Sequence, residues 1–98
     1  MKVTVLTAYD FNTARALAEA QVDYILVGDS LAMVAHGHEN TKKISLGQML
    51  ASTRAVRKGA PQAKIIADLP FTEVQKSKEQ VLDAAKKLIK AGANIIKI

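Results

Sequence analysis

The sequence predicts an α/β fold, a parallel sheet laid down in the order β-α-β-α-β-α-β. Three observations lead to it. Four short runs rich in β-branched and aliphatic residues recur along the chain, at 2–7, 24–27, 64–68 and 94–98. Between consecutive runs lie segments whose apolar residues repeat at three- and four-residue spacing, the period of a helix with one buried face. Each connection is therefore a helical crossover, and strands joined by helical crossovers run parallel with right-handed connections. Ninety-eight residues allow one domain, and the composition, 49% apolar and 23% charged, is that of an ordinary globular chain.

The elements follow in order. KVTVLT at 2–7 reads as the first strand. Asp10 or Asn12 caps the helix after it, which turns Phe11, Ala14, Leu17 and Ala18 inward and closes at Gln21. Tyr24–Val27 is an unbroken apolar run, the mark of a buried central strand, and leads straight into Gly28-Asp29-Ser30. Residues 31–44 form a segment too long for an ordinary strand-to-helix connection. Ser45 and Gln48 have capping-box spacing, and a second helix from about Leu46 to Lys58 presents Met49, Leu50, Thr53 and Val56, with Gly59 as its stop. KIIAD at 64–68 is the third strand, ended by Pro70. Ser77 and Gln80 make a second capping box. The third helix turns Val81, Ala84, Ala85, Leu88 and Ile89 inward and ends at Gly92, ahead of a fourth strand at 94–98.

Composition narrows the function classes. The formal net charge is +5, but the lysines between 76 and 90 alternate with Glu79 and Asp83, and Asp83 with Lys87 makes a favourable i,i+4 pair. No aromatic residues accompany them as a base-stacking platform requires, so no nucleic-acid partner is expected. No apolar run approaches a membrane span and no signal peptide is seen, so no membrane partner is expected. The absence of cysteine excludes disulfides and thiolate chemistry and fits a cytoplasmic setting.

In parallel α/β proteins chemistry collects at the carboxyl ends of the strands. Here those ends carry Thr7, Tyr9 and Asp10, then Asp29 and Ser30, then Asp68, then Lys97. With sequential strands as neighbours, Asp29 and Asp68 stand side by side, an oxygen pair suited to a hard cation such as Mg²⁺; alternatively they only cap turns. Ser30 is placed to bind a substrate oxygen and Lys97 to neutralise a carboxylate. His36 and His38 read as exposed loop histidines rather than metal ligands.

At these residues the sequence resembles the ketopantoate hydroxymethyltransferase (3-methyl-2-oxobutanoate hydroxymethyltransferase) family, in its amino-terminal half. The matching segments are TAYD at 7–10, ILVGDSL at 25–31, GHENT at 37–41, TRAVRKGAP at 53–61, ADLPF at 67–71 and AGANIIKI at 91–98. The resemblance implies a (β/α)₈ barrel of which this chain holds four strands. It implies Mg²⁺-assisted hydroxymethyl transfer from methylenetetrahydrofolate to α-ketoisovalerate, in pantothenate biosynthesis. It assigns Asp29 and Asp68 to the metal, and Ser30 and Lys97 to the keto acid. The family's next metal-site glutamate falls one position past Ile98, and its general-base glutamate lies further on, so the chain by itself is expected to be inactive.

The chain departs from the family pattern at Ala32, where glycine is usual, and at Lys42-Lys43, where the family has leucine and proline. It departs again at TEVQKSK, 72–78, where the family has an aromatic and a proline. These replacements suggest an engineered fragment serving as a folding unit or scaffold. Four barrel strands leave two open edges. Expected outcomes are self-association into a closed eight-stranded sheet, opening into a flavodoxin-like layer with helices on both faces, or loose packing that needs the other half.

Overall fold

The computed structural model describes residues 3–28 and 45–98. Within them the order is β1 (Val5–Thr7), α1 (Phe11–Glu19), β2 (Tyr24–Val27), α2 (Leu46–Gly59), β3 (Lys64–Asp68), α3 (Phe71–Val74), α4 (Lys78–Ala91) and β4 (Ile95–Lys97). The four strands form one parallel sheet in the sequential order β1-β2-β3-β4. That order excludes the flavodoxin-like arrangement, in which the strand order reverses partway across the sheet.

The strands bury alternate residues because successive side chains point to opposite faces. Ile25 and Val27 of β2 and Ile65 and Ala67 of β3 are fully buried under the helices, in one core with Ala14, Met49, Val56, Ala84 and Leu88. α1 lies against α2, and α2 against α4, so the three crossover helices make a single layer. Tyr24, Leu26 and Ile66 point to the other face and are only half-buried. Register places Val5 beside Tyr24 and Ile95 beside Ile66 on that same face, and each of these two edge residues is 45% exposed. Lys64 completes the face at its lower end, its ammonium 5.9 Å from the Tyr24 ring centre. The described residues form an arc of barrel with the three crossover helices on its outer face.

Local chemistry sets the element ends. Asp10 is the cap of α1, its Oδ1 accepting from the Thr13 N–H at 2.7 Å, which settles the choice between Asp10 and Asn12. Both capping boxes form: Ser45 and Gln48 at α2, Ser77 and Gln80 at α4. β1 is shorter than expected: the Thr4 carbonyl still accepts from the Tyr24 N–H at 3.0 Å, but the Thr4 N–H donates to the Asp23 carboxylate at 2.7 Å rather than to a strand carbonyl. Pro70 does end β3, but the chain turns at once into α3, where the Glu73 and Val74 N–H groups both donate to the Pro70 carbonyl. The sequence reading treated this stretch as a plain connection.

Two inward assignments are corrected. Phe11 and Ile89 are 43% and 53% exposed, because α1 and α4 are the outermost of the described helices in the layer. Gly59 is where α2 stops, as expected, but its smallness has a second reason. It is the last residue of α2, and a Cβ there would lie 2.3 Å from the Phe11 carbonyl oxygen. It is small because α1 crosses against it.

At the end of α1, Gln21 adopts φ 59°, in the left-handed region. Its N–H donates to Ala18 and the next N–H, Val22, donates to Leu17, the Schellman pattern that normally selects glycine. Gln21→Gly is expected to stabilise the chain by about 0.5–1 kcal/mol, the relief of left-handed strain less the extra freedom glycine gains when unfolded. Thermal denaturation followed by circular dichroism measures it, as a rise in Tm of a few degrees.

Candidate functional site

β3 and β4 reach the carboxyl rim in step. Asp68 pairs in register with Lys97, so both side chains leave the sheet on the face opposite the crossover helices. Lys97 Nζ lies 3.2 Å from Asp68 Oδ1, the carboxylate 15% exposed and the lysine 62% exposed. The Leu69 N–H donates to the Lys97 carbonyl at 2.8 Å and locks the two strand ends together just beyond the pair. Two residues the sequence placed on one rim, one for a metal and one for a carboxylate substrate, are thus direct neighbours. β2 ends at the same rim, its Val27 level with Ala67. Asp29 and Ser30 come directly after Gly28 and lie outside the described residues, as do His36, His38, Lys42 and Lys43.

Other strand-end groups have structural tasks. Asp10 is consumed as the α1 cap. Thr7 closes β1 opposite Leu26, and the Ala8 N–H continues the ladder to the Leu26 carbonyl. Glu73, which the sequence reading passed over, is a buried carboxylate on α3, held by Lys76 at 2.9 Å. The signal was present: a glutamate followed three residues later by a lysine, just after a proline that can open a helical turn. The expected pair of Asp83 with Lys87 forms at 3.1 Å on the outer surface of α4.

Mg²⁺ takes oxygen ligands and keeps several waters, so one or two carboxylates suffice to hold it. Asp68 offers such a carboxylate, with the exposed Lys97 beside it. The donor chemistry therefore fits a hard cation. Among the described residues, no group of three or more His, Cys, Asp or Glu side chains gathers as a metal cluster. Two grooves on the helical outer surface, of about 530 Å³ beside Leu50, Arg54 and Lys90 and about 450 Å³ beside Leu46, Glu73 and Glu79, are not lined by Asp68 or Lys97.

The opposite, amino-terminal rim carries a different kind of feature. Arg57, near the end of α2, spreads its guanidinium over five acceptors: the carbonyls of Ala60, Pro61, Ala63 and Gly92, and Asn94 Oδ1, at 2.7–3.1 Å. Asn94 Oδ1 also accepts the Ile65 N–H at 2.9 Å. Burial lowers the Arg57 pKa from its ordinary value, yet an arginine stays charged across the working pH range. This fan joins α2, the turn into β3 and the turn into β4. Conservative reading of a barrel assigns such a lower face to stability and the upper face to chemistry.

A run of sequential parallel βα units with its helices on one side defines the class: an α/β fold consistent with part of a (β/α)₈ barrel. Solved structures agree on the fold. Two crystal forms of 2,3-dimethylmalate lyase, a member of the PEP mutase/isocitrate lyase superfamily, superpose with TM-scores of 0.74 and 0.75 at 20% identity, covering 97% of this chain and 32% and 34% of theirs. The profile of the ketopantoate hydroxymethyltransferase family matches residues 1–98, and the chain belongs to that family. It is similar to the 3-methyl-2-oxobutanoate hydroxymethyltransferases of Pyrobaculum calidifontis (47% identical over 96 residues) and Erwinia tasmaniensis (44% over 97). That of Thermotoga maritima is 45% identical over 97 residues. The alignments take in 98–99% of this chain and 36% of each relative, so the chain spans little more than a third of their length and corresponds to their amino-terminal part. No helix among the described residues is long and apolar enough to cross a membrane.

Proposed function

We propose that this chain is a folding unit of a hydroxymethyltransferase barrel, supplying one sector of the rim that binds a 2-oxo acid, and that these ninety-eight residues alone do not turn over. The Asp68–Lys97 pair, in register on the carboxyl rim of the sheet face opposite the crossover helices, carries this reading. In the complete site Asp68 and Asp29 hold Mg²⁺, and Ser30 and Lys97 hold the carboxylate of α-ketoisovalerate. Bound there, Mg²⁺ acts as a Lewis acid toward the keto acid, and methylenetetrahydrofolate is the one-carbon donor. Enolate chemistry depends on preorganised dipoles in a site closed to water. Here the rim lysine is 62% exposed among the described residues, so water screens its charge.

The polar segment 72–78 supports the reading of a redesigned unit. It is locally self-sufficient, with Glu73 and Lys76 paired and Ser77 capping α4. The second reading, favoured by the same rim pair, is that the unit becomes part of an active enzyme when the rest of the barrel is supplied.

Calorimetric titration of the chain with Mg²⁺ and α-ketoisovalerate is expected to give no binding heat. An assay for hydroxymethylated product is expected to show none above the uncatalysed rate. Product from the chain alone, or a heat signal abolished by Asp29→Ala with Asp68→Ala, would overturn the inactive reading. Product appearing only on mixing with the carboxyl-terminal part of a relative selects the second.

A further inference from the structure

The pairs Arg15–Glu19, Glu73–Lys76 and Asp83–Lys87 each join residues three or four positions apart. The pair of Asp68 with Lys97 is different, because it joins two strands. Asp68 Oδ1 is closed to water, and Lys97 Nζ lies 3.2 Å from it. A carboxylate oxygen taken out of water has to face positive charge, or its burial is costly. The backbone cannot relieve the pairing. Asp68 and Lys97 are partners in register, and the Leu69 N–H holds the Lys97 carbonyl at 2.8 Å. What can leave is the ammonium, which rides on a flexible four-carbon stem.

We propose that Lys97 holds the place of the divalent cation at Asp68. Without metal, the ammonium is the counter-charge of the carboxylate. A divalent ion takes over that task, and the displaced ammonium then serves the carboxylate of the oxo acid. The inference rests on the rim reading above, in which Asp68 takes the metal and Lys97 the acid, and it adds the link between the two.

The geometry makes the two cations competitors. An Mg²⁺–oxygen bond is about 2.1 Å, so an ion on Oδ1 and an ammonium at its present distance would stand at most about 5 Å apart. Like charges that close disfavour one another. Each therefore weakens the other's hold on Asp68, and the effect is reciprocal. Lys97 acts in two opposite senses: it weakens the metal position and it builds the acid position. Metal consequently binds before acid, because entry of the ion is what releases the ammonium.

Loss of an ordinary binding residue weakens binding, whereas loss of a place-holder strengthens it. Mn²⁺ is the probe for the chain alone, since it shares the oxygen preference of Mg²⁺ and its free aqua ion is counted by electron paramagnetic resonance. Lys97→Met is expected to bind Mn²⁺ about tenfold tighter than the parent, within the ordinary range of coupling between two sites. Lys97→Arg keeps the positive charge and should stay near the parent. Asp68→Asn added to Lys97→Met should remove the gain.

Thermal melts give a second readout. The Tm of Lys97→Met should rise as Mn²⁺ is added while that of the parent stays level. Lys97→Gln, with a polar tip, repeats the measurement if the methionine variant melts without cooperativity. The proposal is overturned if removal of the lysine gives no gain in Mn²⁺ binding, if Lys97→Arg gains as much as Lys97→Met, or if the gain survives Asp68→Asn. Each of these leaves the proposed function standing, because the complete site has Asp29 as well. Product from the chain alone overturns that reading and leaves the Lys97 comparison intact.

Discussion

Gly59→Ala is expected to destabilise the chain by about 2 kcal/mol or more, although alanine is the better helix former by up to about 1 kcal/mol. The contact decides the sign. An added Cβ would sit 2.3 Å from the Phe11 carbonyl oxygen and 3.0 Å from the Ala14 Cβ. The first of these is backbone and cannot rotate away. α1 would have to retreat from α2 by nearly an ångström, and Ala14, fully buried at that crossing, would lose its packing. Urea denaturation followed by far-ultraviolet circular dichroism reads the loss as a lower midpoint at unchanged slope. A neutral or stabilised Gly59→Ala would mean that the two helices do not meet this closely.

Arg57→Ala is expected to cost about 3–4 kcal/mol, in line with the loss of several charge-assisted hydrogen bonds whose acceptors only partly recover water. Arg57→Lys should recover little of it. An ammonium has three donors on a single point, whereas the guanidinium here serves five acceptors spread across three segments. The partner position sharpens the test. Gly92 has φ 134°, and a Cβ there would lie 2.7 Å from the Arg57 Cβ and 2.9 Å from its Cγ. Gly92→Ala should therefore be costly in the parent and distinctly less so beside Arg57→Gly, where the Cβ, the Cγ and the guanidinium are all gone and only the strain of the positive φ is left. A double-mutant cycle of chemical denaturation measures that coupling. Additive costs would show that the fan and the glycine act separately.

What was legible in the sequence follows from which interactions leave a local trace. Tyr24–Val27 and Lys64–Asp68 could be bounded to the residue, because an apolar run stops at Gly28 in one case and at Leu69-Pro70 in the other. Both capping boxes could be read because hydroxyl and glutamine stand three residues apart on one turn. Strand order could not be, since an apolar helix face reads the same whether its neighbours lie on one side of a sheet or on both. The exposure of Phe11 and Ile89 escaped for a related reason. Periodicity reports that a face is apolar, not that anything packs on all of it.

At the site, the pairing of Asp68 with Lys97 could be anticipated once the strands were taken as sequential neighbours. The role of Arg57 could not. Its acceptors are mostly backbone carbonyls, those of Gly92 lying 35 positions away, and carbonyls carry no residue identity. The segments TRAVRKGAP and AGANIIKI mark the family by sequence, but much of what they encode is this one anchor: the arginine, the glycine it presses on, and the asparagine that receives it.

That anchor sits on the amino-terminal rim, with the full depth of the sheet between it and Asp68 and Lys97. Mutational tolerance is polarised as a result. The lower rim is a keystone in which a single methyl group is felt by three segments at once, while among the described residues the upper rim carries the Asp68–Lys97 pair on the tips of two strands. A chain arranged this way can trade one chemistry for another at its top without renegotiating how it stays folded.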